Sequence, residues 1–171
     1  MRVTSTRWIA AALLLAACSR TLTAATITWD GGPGGTGTSW NDPVNWNPDT
    51  VPGAEDNAVF DTAGLSANKV ISLDAPQIIQ RFTIPAWRGV TMFVGNAADV
   101  AAGNTLTLSQ VFRGSNSANL QTFTANIVLA TDSIWDINSG YNNGIAVNGV
   151  VSGAEKGLAK WGQANDNSTN P

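Results

Sequence analysis

The stretch "TFTANIVL", residues 122–129, places Phe123, Ala125, Ile127 and Leu129 at every second position. A period of two is that of an extended chain with one face turned to an apolar interior. The same alternation recurs along the sequence. Ile27 and Trp29 show it in "TITWD", Ala58 and Phe60 in "NAVFD", and Ile78, Phe82 and Ile84 in "IIQRFTI". Leu106 and Leu108 follow in "NTLTLSQ", then Ile145 and Val147 in "GIAVNGVV". No comparable stretch carries apolar residues at helical spacing without turn formers inside it. The chain reads as all-β.

The spacing of these runs narrows the architecture. Their last strong inward residues, Phe60, Ile84, Leu108, Leu129 and Val147, are separated by 24, 24, 21 and 18 residues. A period near 20 predicts a solenoid in which each coil adds a strand to a parallel stack. Gly95-Asn96, Gly103-Asn104, Gly114-Ser115-Asn116 and Asn142-Asn143-Gly144 stand where a coil would change direction, and Gly and Asn accept left-handed backbone angles. The alternative is a β-sandwich, whose strands recur every ~8–12 residues and would explain many of the same runs.

Only 12% of the 171 residues are charged, which suits stacked strands better than helices with long solvated faces. The first residues read as an export segment. Arg2 and Arg7 precede the apolar run "WIAAALLLAAC", and the polar "SRTLTAA" ends in small residues. Eleven apolar residues are too few to span a bilayer, which takes about 20. Cleavage after Ala25 would start the mature chain at Thr26. The alternative is lipidation at Cys18, because Leu15-Ala16-Ala17-Cys18 resembles a bacterial lipobox. Both readings place the protein outside the cytoplasm, secreted or on the cell surface.

Two missing residue types remove much chemistry. The sequence has no histidine, and its single cysteine, Cys18, lies in the export segment. His-dependent acid–base catalysis, Ser-His-Asp and Cys-His nucleophiles and ordinary zinc sites therefore have no ligands or bases to draw on. Removal of residues 1–25 leaves six basic residues against twelve acidic ones, a net charge near −6. That balance disfavours nucleic acid, whose phosphates need basic partners. Gly32, Gly34 and Gly37 spell G-x-G-x-x-G after a strand-like run, but a dinucleotide site requires a helix next. Pro43, Pro48 and Pro52 forbid one here, so a turn is expected and no cofactor.

Two regions carry a resemblance. "TWDGGPGGTGTSWNDPVNWNPDTVPGAEDNAVFD", residues 28–61, resembles the opening of bacterial secreted proteins with autotransporter-associated β-strand repeats. "VVSGAEKGLAKWG", residues 150–162, is similar to the start of the repeat itself through Gly157, Leu158, Lys160 and Gly162. The sequence then departs from the repeat at Gln163-Ala164-Asn165-Asp166. The resemblance implies a right-handed parallel β-helix, secreted or displayed on the surface, as the front of a longer passenger and here truncated. It also implies three segments: an export signal over 1–25, a Trp/Gly/Pro-rich N-terminal cap over 26–61, and solenoid coils over 62–171 ending in a partial repeat.

Three groups of residues invite a site. Trp29, Trp40 and Trp46 are close in sequence, and exposed indoles stack on sugars. Buried indoles would instead close the open end of a solenoid. The cap is the expectation, with Trp40 and Trp46 as carbohydrate contacts in the alternative reading of a β-sandwich binding module. Glu55, Asp56, Asn57 and Asp61 offer oxygens to calcium but lack a D-x-D-x-D-G loop, so turn roles are expected and no metal. Asp132 and Asp136 stand about 13 Å apart on a strand, wider than the ~5–9.5 Å of glycosidase pairs, with Arg81, Arg88 and Arg113 scattered elsewhere. A polysaccharide-degrading β-helix is thus the distant alternative. The sequence leads to a non-catalytic surface solenoid whose partner would be a polysaccharide or another component of the cell envelope.

Overall fold

A computed structural model of the chain describes residues 23–61, 67–85, 91–113, 120–137 and 145–161. The export segment with Cys18, the turns at 114–116 and 142–144, Arg88 and Gly162 lie outside them. Thirteen strands and one helix occur in the described residues: β1 Thr26–Trp29, β2 Trp46–Asn47, β3 Asn57–Val59, β4 Lys69–Ile71, β5 Gln77–Ile78, β6 Arg81–Ile84, β7 Met92–Val94, α1 Ala97–Ala102, β8 Thr105–Arg113, β9 Gln121–Phe123, β10 Asn126–Ile137, β11 Ile145–Val147, β12 Val151–Ser152 and β13 Leu158–Trp161. They form two sheets. The first runs β12-β10-β8-β6-β3-β1-β2, with β5 beside β8 and β13 beside β10, and the second runs β11-β9-β7-β4.

Every described strand pair is parallel except β1 with β2. A sandwich of hairpins is thereby ruled out. The chain is a β-solenoid whose coils alternate between the two sheets. From rung to rung the register advances by 24 residues from Ala58 to Phe82, 29 from Phe82 to Val111 and 24 from Val111 to Trp135.

The corners explain how the coils turn. "TFTANIVL" is not one strand but two, β9 in the second sheet and the start of β10 in the first. At the corner between them, Val94 O accepts from both Thr124 N (2.9 Å) and Ala125 N (3.1 Å). On the opposite side, Asp56 O takes Gln80 N and Arg81 N, and Gln80 O takes Ser109 N and Gln110 N. One carbonyl serving two successive amides bends the chain without orphaning a backbone donor. Gly95 lines the corner column, and a Cβ there would lie 2.4 Å from Ala125 Cβ.

Phe123, Ala125, Ile127 and Leu129 all face inward, as their spacing predicts. Leu108 and Leu129 are register partners. Ile84 is buried on the same sheet but belongs to another column, opposite Arg113 and thus Ile137. The rung position beside Leu108 is filled by Ile79, whose N–H donates to Thr107 O at 3.0 Å. The cause is the break between β5 and β6, which reverses which alternate residues point inward. Ile78, expected inside, is accordingly 53% exposed and Ile79 only 1%.

The six-residue helix α1 is also unexpected from periodicity. Asn96 and Asp99 form a reciprocal capping box at its start, and Gly103 closes it at φ 74°. An aromatic spine fills the interior from one end of the stack. Trp29, Trp40 and Trp46 surround Phe60, which stacks on Phe82 at 4.6 Å, and Phe82 meets Phe123 edge-on at 4.8 Å. Segments 26–61 and 67–161 therefore share one sheet and one core.

Candidate functional site

The N-terminal end is built around three tryptophans. β1 aims Trp29 inward, and β2 adds antiparallel to β1 with Trp46 opposite Trp29. Residues 38–40 bridge to the second sheet, where Ser72 N donates to Thr38 O and Trp40 N to Ser72 O, both at 2.8 Å. All three indoles have 0% exposure. Trp46 Nε1 donates to Trp40 O at 2.8 Å, while the indole N–H groups of Trp29 and Trp40 find no partner among the described residues. The carbohydrate reading of Trp40 and Trp46 needs exposed ring faces, and this packing removes them. Burial is favoured because edge-to-face contacts near 5 Å gain more than a lone ring on the surface.

The glycine-rich turn is folded around a buried amide rather than a phosphate. Asn45 O accepts from Asp30 N and Gly31 N, and its Nδ2 donates to Ser39 O at 2.8 Å. A Cβ on Gly37 would fall 1.7 Å from Asn45 Oδ1, so glycine is required there for close approach. Only 3-10 turns, Pro33–Gly35 and Pro43–Asn45, follow the motif.

The acidic residues are tied into turns. Asp56 accepts from Ala25 N at 3.1 Å and Gly53 N at 2.8 Å, and Asn57 Oδ1 accepts from Thr83 Oγ1 at 2.6 Å. Among the described residues no group of three or more His, Cys, Asp or Glu is placed to hold a metal ion. Asp132 sits in an excursion of β10 between Leu129 and Ile134 and accepts from Gly157 N at 2.9 Å. Asp136 lies beyond that excursion on the outward face, two rungs from Arg81.

One polar centre escapes sequence reading. Asp99 is almost fully buried, and its carboxylate accepts from Leu73 N, Asp74 N, Asn96 N and Asn104 Nδ2, each at 3.0 Å. Burial pushes its pKa upward, but the Asn104 amide and the three backbone N–H groups outweigh that and hold it below the ordinary carboxylate range. The residue locks α1 to the turn after β4. The Asn96-x-x-Asp99 spacing was its only signal, and that is also ordinary turn chemistry.

The two ends of the stack differ. At one end β2 is two residues long, and Pro48 and Pro52 follow it. At the other, β12 and β13 have only β10 as a neighbour, and Val150, Val151, Leu158 and Trp161 are exposed. The architecture is that of a parallel β-solenoid. Comparisons with protein-family models, with curated proteins and with solved structures each find no match for the chain.

Proposed function

We propose that the protein is the non-catalytic N-terminal cap and first coils of an exported, surface-displayed solenoid. The observation that carries this reading is the contrast between the ends. A solenoid must protect its terminal edge strands. Here an antiparallel two-residue strand and three buried tryptophans cover the first edge, whereas β12 and β13 present unpaired backbone groups and apolar side chains suited to a following coil. The resemblance of residues 28–61 and 150–162 to proteins with autotransporter-associated repeats supports the same role and rests on those motifs alone.

The export signal is part of this reading. Cleavage after Ala25 would leave β1 as the first mature element and would delete two hydrogen bonds, Ala25 N to Asp56 Oδ1 and Asn57 N to Ala25 O. Lipidation at Cys18 would keep both. An antibody against residues 26–161 tests the whole proposal on intact source cells. It should label a species larger than 17.8 kDa that external protease removes. A cytoplasmic species resistant to protease in intact cells would overturn it.

A further inference from the structure

A groove runs along the outer face of the first sheet, between two columns of outward side chains. One column is Asn57, Arg81, Gln110 and Ile134; the other holds Thr83, Asp136 and Trp161 on its successive rungs. The residues between them, Phe82, Val111 and Trp135, point into the core, so the floor is backbone and the walls are side chains. Arg81, Gln110, Ile134 and Asp136 line a cleft of about 200 Å³ there.

Its chemistry is specific. Arg81 spends Nε and Nη2 on one atom, Gln110 Oε1, which leaves three guanidinium N–H donors facing the cleft without a partner among the described residues. The Asp136 carboxylate likewise accepts from none of them, although it is only partly exposed. Trp161, register partner of Asp136, is 65% exposed and is the one described tryptophan whose ring is open to solvent. Donors, an acceptor and an aromatic face thus line one channel that crosses the rungs at steps of about 4.8 Å. Sugar units of an extended glycan repeat on a similar step.

We infer that this groove binds a neutral glycan chain laid across the rungs, with Arg81, Gln110 and Asp136 bonding its hydroxyls and Trp161 stacking on a ring. A polyanion is disfavoured, because Asp136 lines the groove and the whole chain carries a net charge of −3. The inference concerns residues within the described coils and holds whether or not further coils follow, so it stands or falls apart from the capping role.

Calorimetric titration of the full chain with cellohexaose, chitohexaose and a galacturonate hexamer tests it. At least one neutral oligomer should bind, and Trp161→Ala and Arg81→Ala should each weaken that binding by about tenfold or more. Both side chains are exposed, so the melting temperature should stay near that of the wild type. Absence of binding by both neutral oligomers, unchanged affinity in both variants, or tighter binding of the galacturonate would overturn the inference.

Discussion

Leu108 and Leu129 lie side by side in adjacent parallel strands, 21 residues apart in sequence, and both are buried. Ile84, buried on the same sheet, is offset from them by the corner at Ile79–Gln80. Side chains in contact couple energetically and separated ones add. Each of Leu108→Ala and Leu129→Ala should cost about 2–5 kcal/mol in denaturant unfolding. The double variant should depart from additivity, by about 0.5 kcal/mol or more. The pair Leu108→Ala with Ile84→Ala should come closer to additive. Equal coupling in both pairs would contradict the register.

The tryptophan cluster should behave as core. Trp29→Ala, Trp40→Ala and Trp46→Ala should each destabilise by about 3–5 kcal/mol and lower the melting temperature together with the loss of near-ultraviolet circular dichroism. A Trp40→Ala or Trp46→Ala protein that melts like the wild type would contradict their burial.

Asp99 should set part of the acid limb of stability. Its folded pKa lies below the unfolded value of about 3.9, so its contribution is present above that pH and is lost as pH falls through the folded pKa. Asp99→Asn replaces an acceptor oxygen by an N–H donor facing backbone N–H groups. The variant should lose about 3 kcal/mol at pH 7. Its stability should also depend less on pH than that of the wild type between neutrality and the acid limb. A variant as stable as the wild type at pH 7 would contradict the hub.

Gly95 and Ala125 occupy successive corners. Gly95 has φ 82°, and a Cβ there meets Ala125 Cβ at 2.4 Å and its N at 2.7 Å. Gly95→Ala should therefore cost more than the ~1–2 kcal/mol of left-handed strain alone. Adding Ala125→Gly should recover part of that loss, since it removes the Cβ contact and leaves the backbone one. Urea unfolding of the single and double variants measures both effects.

Period-two spacing shows the strands well because inward positions must be apolar whichever sheet they belong to. The same property hides the corners. In "TFTANIVL" the alternation continues unbroken from the second sheet into the first, so the pattern alone cannot separate one strand from two. Where a corner does reverse the alternation, as between Ile79 and Phe82, the pattern assigns Ile78 the inward place that Ile79 holds. Burial of Trp29 was visible in its pairing with Ile27. Asp99 was not visible, because its partners Leu73 and Asp74 are brought to it only by coil stacking. The groove walls depend on register between rungs in the same way, which is why Trp161 did not stand out beside Trp40 and Trp46.

The central claim is a solenoid closed at its N-terminal end and open at β12–β13. Hydrogen–deuterium exchange of the full chain tests it most directly, because amide protection follows local opening of each rung. The account predicts slow exchange for amides of β1 and β3 around Trp29 and Ala58, and exchange within the earliest time points for Val151–Ser152 and Leu158–Trp161. Rapid exchange at Trp29 and Ala58, or protection at Leu158–Trp161 equal to that of β8, would contradict it.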